Sequence, residues 1–281
     1  MKIIMLGYRG DLGLSDEVYT TNIDQIQVKG IDRVIDEIKA FKPDLVIEEE
    51  SNDGKSIYTS LYNRLPAYPK AWWMIDAHIT LAEHLNYAKQ FQYVFCGQSW
   101  FIPFVQRETL ASAYFLPLCH TQTDAEYRNL IQAPRGKDIA FSFVGNIRTL
   151  HVERKKYVRK FLEMFGDKFF ARQSDHSSTM EYLMRSTMTF NCSLNNDLNF
   201  RVWEAIACGC EVLTDMVTDV NKTGVGKFCT FYDKLDPDWS VMQHPVFRFG
   251  AQEFILSRHT LTRRFEQMIK MIEGGIQEDY A

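Results

Sequence analysis

The sequence predicts an α/β protein of two doubly wound domains, each a parallel sheet flanked by helices, facing one another across a cleft. Three observations carry that expectation. The chain is 281 residues long, above the usual single-domain size. Apolar runs of four to six residues alternate with helical stretches of ten or so, the lengths that parallel crossovers need. That rhythm breaks once, at the polar stretch DAEYRNLIQAPRGKD with Pro134 and Gly136, and then resumes.

The first run opens with MKIIMLGY as a strand, followed by a small, polar loop from Gly7 to Gly13. After a segment of unassigned structure, GIDRVIDEIKAF places Ile31, Val34, Ile35 and Ile38 on one helical stripe. Lys42-Pro43-Asp44 ends that helix, and LVIEEE follows as a strand whose end turns acidic. SIYTSLYNRL reads as a helix, AWWMID as a strand, TLAEHLNYAKQF as a helix and YVFCG as a strand. A short helix near WFIPFVQRETL and a strand YFLPL complete the first domain. The second run is DIAFSFVGNI (strand), RKKYVRKFLEMF (helix), KFFARQ (strand), STMEYLMRS (helix), MTFNCSL (strand), NFRVWEAIACG (helix) and EVLTD (strand). KFCTFY and VFRF read as further strands, and SRHTLTRRFEQMIKMI as one terminal helix. The domains are therefore placed at 1–134 and 139–256, with a C-terminal helix at 257–274 that is free to pack back across both.

Composition narrows the function. With 46% hydrophobic and 24% charged residues the chain is not disordered and has ample apolar material for its cores. A net charge of −4 provides no general polyanion-binding surface, although a local basic cleft stays open. The 14% aromatic share fits tightly packed small cores better than a lined groove. Six scattered cysteines, with Cys208 and Cys210 only a CxC pair, resemble neither a disulfide framework nor a zinc site. The N-terminal apolar run is too short for a signal peptide, and no run is long enough to span a membrane, so a reduced, cytoplasmic protein is expected. GxSxG and GxxxxGK[ST] motifs are absent, which disfavours a serine hydrolase and a P-loop hydrolase. Gly7, Gly10 and Gly13 do not have the GxGxxG spacing, but they suit a loop closing over a diphosphate or an acceptor.

In open α/β sheets, ligands sit beyond the carboxyl ends of the strands. That rule nominates Gly7–Gly13, Glu48–Glu50, Asp76–His78, Gly97–Ser99 and Cys119–His120 in the first domain. In the second it nominates Gly145, where the backbone is free to approach a ligand, with Arg148 reaching for phosphates. Arg201, near a helix start, suits a diphosphate, and Glu204 one turn on suits ribose hydroxyls. An ordinary i,i+3 surface pair is the plainer reading of those two. Asp76 closes an apolar strand and is the leading candidate for a base, with His78 a second polar wall or the base itself. Asp76 is equally suited to cap a helix starting near Thr80. His120 is a candidate for donor or linker contact, and His259 is expected to be packed. The cations between 154 and 160 read as a solvated helix face.

The run Leu198 to Asp215, LNFRVWEAIACGCEVLTD, closely resembles the LNxRxFEAxAxGxxxLTD signature of glycosyltransferases with two Rossmann-like domains, the GT-B type. The nearest group is the spore-maturation glycosyltransferase-like family. Trp73-Met74-Ile75-Asp76 is similar to its W-x-I-D segment, Phe115-Leu116-Pro117-Leu118 to its LPL strand, and His259-Thr260-Leu261 with Arg264 to its HTYxxR helix. The likeness spans about residues 40 to 270.

The resemblance implies transfer of a sugar from a nucleoside-diphosphate sugar, a UDP-sugar first, with no metal needed and no cofactor beyond the donor. It implies a donor held by residues 139–256, with Gly10 and Gly13 of the first loop closing over it. Gly145, Arg148, Asn199, Arg201, Glu204, Thr214 and Asp215 form the donor set in the second domain. Asp76, His78 and Arg201 would carry the catalysis, the first domain receiving the acceptor. One departure stands out: the second glutamate of the EX7E motif of many retaining members is replaced by Asn196, so the stereochemistry stays open. The acceptor is a saccharide, a small molecule or a modified phage DNA base; in a virus the setting would be the host cytoplasm. Two other readings stand beside the first: a DNA-modifying glycosyltransferase, with a basic cleft of Arg148, Lys155, Lys156 and Arg159, and a non-catalytic nucleotide-sugar-binding or scaffold protein. A homo-oligomer is compatible with every one of them.

Overall fold

The structure, a computed structural model, describes residues 1–8, 12–14, 17–50, 55–132, 136–145, 152–240, 250–275 and 280. Gly10, Arg148 and the expected strand VFRF lie outside the described residues. The chain divides into two compact units, Met1–Pro117 with Phe265–Gln277, and Leu118–Arg264 with Glu278–Ala281.

The first unit runs β1 (Lys2–Leu6), β2 (Glu17–Thr21), α1 (Ile23–Lys29), α2 (Ile31–Phe41), β3 (Leu45–Glu49), α3 (Lys55–Tyr62), β4 (Lys70–Met74), α4 (Leu81–Ala88), β5 (Tyr93–Cys96), α5 (Ile102–Glu108) and β6 (Ser112–Phe115). Its six strands are all parallel, in the order β2-β1-β3-β4-β5-β6. Strand alternation sends Ile4, Leu6, Val46, Trp72 and Met74 into a core with Val34, Ile35 and Ile38 of α2 and Tyr58 of α3. Ile3, Met5, Ile47 and Trp73, on the other face, are also buried. There the Trp73 indole donates to Leu116 O (3.0 Å), and Phe265 meets its ring edge-on. The unassigned segment after the first loop holds β2 and α1, the latter capped by Asn22 Oδ1 accepting from Gln25 N (3.1 Å). Its short, polar β2 has no apolar alternation to betray it.

The second unit runs α6 (Asp124–Gln132), β7 (Ile139–Val144), α7 (Val152–Phe165), β8 (Phe169–Arg172), α8 (His176–Arg185), β9 (Ser186–Phe190), α9 (Phe200–Ala207), β10 (Glu211–Asp215), β11 (Cys229–Tyr232), α10 (Ala251–Arg258) and α11 (Leu261–Ile272). Its five strands are also parallel, in the order β11-β10-β9-β7-β8. The aromatic residues pack this core: Phe161 meets Phe190 edge-on at 4.8 Å, with Phe141, Phe143, Phe169 and Tyr157 around them. All six cysteines are buried and none is in a disulfide. Among the described residues no helix is long and apolar enough to cross a membrane.

Two sequence expectations differ from this arrangement. The polar stretch expected to link the domains is in part helix α6, whose Tyr127 OH donates to Ala207 O (2.9 Å) in the second unit. The division by contact therefore falls at Pro117 and Leu118, ahead of the 134–138 stretch. The expected terminal helix is two helices, α10 and α11, broken at His259 and Thr260. Phe265 onward in α11 counts with the first unit.

The break has a physical cause. Arg264 is fully buried, and its guanidinium donates to Arg258 O (3.0 Å), Leu118 O (3.1 Å) and His259 Nδ1 (2.6 Å). The backbone N–H of His120 in turn donates to His259 O (2.8 Å). Burial, followed by the nearby charge of Arg264, holds His259 well below its ordinary value, so the ring is neutral and accepts. Truncating Arg264 leaves two carbonyls and one ring nitrogen buried without a donor. Arg264→Ala is expected to cost about 3 kcal/mol or more in the unfolding of the second unit. Urea unfolding followed by circular dichroism measures it; a midpoint within error of wild type would remove the clamp role.

Candidate functional site

In the second unit the chain leaves β7 for β8 on one side and returns to β9 on the other. Crossovers of opposite sense open a crevice where β7 and β9 part at their carboxyl ends, the usual ligand position in such sheets. Arg201 occupies that position. Its Nε donates to Val144 O at the end of β7 (2.6 Å), and its Nη1 donates to Asn191 Oδ1 just past β9 (3.2 Å). The guanidinium lies over the Phe143 ring, 4.8 Å from its centroid. Gly145, at φ 153°, leaves room for it: a Cβ there would overlap the guanidinium, lying 2.7 Å from Cζ. Asn199 caps α9, accepting from Arg201 N (3.1 Å) and donating to Asn191 Oδ1 (3.0 Å). Asn191 in turn donates to Thr214 Oγ1 (3.0 Å).

The electrostatics are unusual for a half-buried cation. Among the described residues Arg201 has no ion pair with an acid, and its side chain uses only two N–H groups. Burial pushes its pKa down to about 9; the Arg154 cation adds to this, and the Glu204 charge opposes it. The group still carries its charge at neutral pH. Glu204, buried on α9 one turn along, is thus near enough to be felt.

The other expected donor residues divide. Thr214 and Asp215 reach the same sheet end, but their polar atoms are committed to the scaffold. Asp215 accepts from Ser193 N (2.7 Å) and Ser193 Oγ, and pairs with Lys234 (3.1 Å). Asn196 sits at a left-handed φ of 64° and spends its amide on Thr218, accepting from Thr218 N (2.9 Å) and donating to Thr218 Oγ1 (2.6 Å). It is a loop brace at the position where an EX7E glutamate would stand. The cations Lys155, Lys156 and Arg159 are exposed on α7, while Arg154 is buried and donates to Cys192 O (3.1 Å). Asn191, Ser193 and Lys234 escaped sequence reasoning. The carboxyl-end rule, applied to MTFNCSL, would have found Asn191.

In the first unit the same topology puts the switch between β1 and β3, beside Gly7 and the acidic end of β3. Asp76 and His78 follow β4. The backbone N–H groups of Ile75 and Asp76 both donate to Glu50 Oε2 (2.6 and 2.9 Å), and Asp76 O accepts from Ile79 N (3.0 Å). Glu50 also accepts from His84 Nε2, while the His84 Nδ1 donates to Thr80 O (2.8 Å). Burial works to raise the Glu50 carboxyl, but His84, the Asp76 N–H and Lys55 outweigh it and hold it below its ordinary value. Burial lowers His78, against the raising charges of Asp76 and Glu50. The structure thus gathers Asp76, His78 and Glu50 around one turn. Gly13 is exposed at φ 67°. His120 and His259 are fully buried.

The glycosyl transferase-like family matches residues 126–270. No curated protein matches the chain in sequence. Among solved structures, sucrose-phosphate synthase from Thermosynechococcus elongatus is 10% identical with a TM-score of 0.55, over 92% of this chain and 80% of its own. HepE from Anabaena, in complex with UDP-glucose, is 12% identical with a TM-score of 0.54, over 98% of this chain and all of its own length. UDP-GlcNAc 2-epimerase from Methanocaldococcus jannaschii is 10% identical with a TM-score of 0.52, covering 98% of this chain and all of its own length. At such identities the likeness establishes the fold, two Rossmann-like units of the GT-B kind. The family match takes in every strand of the second sheet with Arg201 at its centre, and the chain belongs to the glycosyl transferase-like family.

Proposed function

We propose that this protein transfers a sugar from a UDP-sugar to an acceptor hydroxyl, the second unit holding the nucleotide and the first receiving the acceptor. The observation that carries the reading is Arg201: a desolvated, preoriented guanidinium at the switch point with no acid paired to it among the described residues. A cation so placed is complementary to an anion that arrives. As the bond from sugar to diphosphate breaks, negative charge grows on the leaving oxygens. A guanidinium already held by Val144 O and Asn191 meets that charge without reorganising, where the low local dielectric strengthens the attraction. Its remaining N–H groups suit bidentate contact with phosphate. Glu204, one turn further on α9, has the chemistry to accept from ribose hydroxyls. The signature Leu198–Asp215 supports a place beside the spore-maturation group within the family. Arg201, Gly145 and Glu204 are proposed as donor residues, with Asn199 and Thr214 as the frame that aims them.

Titration calorimetry with UDP tests the reading. Replacing Arg201 by Gln should weaken UDP binding about tenfold to a hundredfold, the effect of losing charge-assisted hydrogen bonds. A wild-type protein with no UDP affinity, or a variant that binds UDP equally well, would sink the assignment. Gly145→Ala should reproduce that loss with Arg201 still present, because the added methyl overlaps the guanidinium; undiminished UDP affinity in that variant would show the crevice is not the site. Turnover separates the chemistries. UDP released from a UDP-sugar marks transfer, and interconversion of the sugar with nothing released marks epimerisation. Binding with neither, across a donor and acceptor panel, marks a nucleotide-sugar-binding protein.

A further inference from the structure

Three consecutive glutamates close β3 and continue past it, and the fold treats them differently. Glu48 is buried against α3 and α4, accepting from Tyr62 OH (2.5 Å) and Tyr87 OH (2.8 Å). Glu50 is fully engaged with His84, Lys55 (3.4 Å) and the N–H groups of Ile75 and Asp76. Glu49 has neither a hydrogen bond nor an ion pair to its carboxylate among the described residues. Alternation turns it to the sheet face opposite Glu48, the face of its register partner Trp73. Beside it, just past the end of β1, stands Gly7, at φ 101°. A Cβ at Gly7 would lie 2.8 Å from Glu49 O and 3.4 Å from Glu49 Cβ, so no side chain covers the carboxylate from that strand. The position is the β1/β3 switch point, the counterpart in the first unit of the place Arg201 holds in the second.

A half-buried carboxylate left without a partner is costly unless something outside the chain uses it. We propose that Glu49, in place of Asp76, is the general base that takes the proton from the acceptor hydroxyl. The proposal rests on the glycosyl-transfer reading. In the step it serves, a bond forms between the acceptor oxygen and the anomeric carbon. The bond from that carbon to the diphosphate oxygen breaks. The hydroxyl proton passes to a Glu49 carboxylate oxygen, and the diphosphate leaves with the electron pair.

Burial alone pushes Glu49 up to about 7, where a base is both ionised and strong enough to accept. The surrounding elements add little charge of their own. Leu6 on β1, Gly7 just past it and Trp73 on β4 carry none. Helix α11, whose Phe265 meets Trp73, carries Glu266 and Lys270, yet burial is the influence on the Glu49 carboxyl. Glu48 and Glu50 turn to the opposite face, and Tyr58 on α3 is a phenol that feels the Glu49 charge. Asp76 and His78, beyond β4, are mutually engaged.

Glu49→Gln tests the proposal on three axes, using UDP-glucose, UDP-galactose and UDP-N-acetylglucosamine with water as the simplest acceptor. UDP affinity should stay within about twofold of wild type, and turnover should fall about a hundredfold or more. The wild-type rate should rise with pH to a plateau above about 7, and that limb should vanish in the Gln variant while surviving in Asp76→Asn. Stability supplies a readout free of turnover. A folded-state value raised above the ordinary carboxylate range confers stability at low pH that is lost as pH rises through about 7. Glu49→Gln should therefore melt above wild type at pH 8, and the gap should shrink towards pH 5. Full turnover in the Gln variant, a retained pH limb or no pH-dependent gap in melting would each overturn Glu49 as the base. Absence of UDP affinity in wild type would instead overturn the donor reading on which it rests.

Discussion

The second unit is organised around one interaction, the capture of the Arg201 guanidinium by the ends of two strands. A carbonyl from β7 and an amide oxygen from just past β9 hold it edge-on, and the Phe143 ring supports it from below. Each partner constrains another part of the sequence. Asn191 is able to present its oxygen to both Arg201 and Asn199 only because its own amide group donates to Thr214. Asn199 must cap α9 for Arg201 to emerge at the height of the crevice. Gly145 must lack a side chain, because the guanidinium fills the volume that one would take. A buried cation normally draws an acid toward it, because desolvation is otherwise uncompensated. Among the described residues the fold satisfies this one with neutral oxygens alone.

The first unit shows the complementary case. Its sheet has the same switch between its first and third strands, and the polar residue there is a carboxylate. Glu48 is held by two tyrosine hydroxyls and Glu50 by a histidine and a lysine, so the acidic run resolves into two structural anchors and, among the described residues, one unspent group. One fold pattern, used twice, thus carries a cation at the strand switch of the second unit and a carboxylate at that of the first. The asymmetry fits the proposed division of labour, a cation for the diphosphate in one unit and a proton acceptor in the other.

Most of the architecture was legible because parallel βα units write themselves in alternating lengths. MKIIMLGY, LVIEEE, AWWMID and EVLTD are strands where the apolar runs placed them. What escaped was set by tertiary partners. Strand β2 is polar and short, and pairing to β1 alone makes it a strand. Helix α6 lies in a stretch rich in charge and was legible only as linker, yet Tyr127 anchors it to the second unit. Terminal helix periodicity runs straight through His259, so nothing local announces the break that the Arg264 clamp imposes. For the site, Arg201 was recognisable from its motif. Asn191 was reachable by the carboxyl-end rule but not singled out, since an asparagine after a strand is ordinary until the topology makes that strand a wall of the crevice.

The same distinction bears on what the glycosyltransferase-like signature encodes. Within Leu198–Asp215, Asn199 is a cap, Thr214 a brace for Asn191, and Asp215 a clamp on the Ser193 turn. Val202, Ile206 and Val212 are fully buried core. His259 and Arg264, the fixed points of the C-terminal motif, hold carbonyls inside the second unit and reach no crevice. Of the whole signature, Arg201 is the residue whose side chain the frame presents at the strand switch. The pattern is therefore chiefly what it takes to keep Arg201 fixed at a strand switch. The proposed acceptor chemistry therefore rests on groups outside the signature, with Glu49 of the first unit the one put forward.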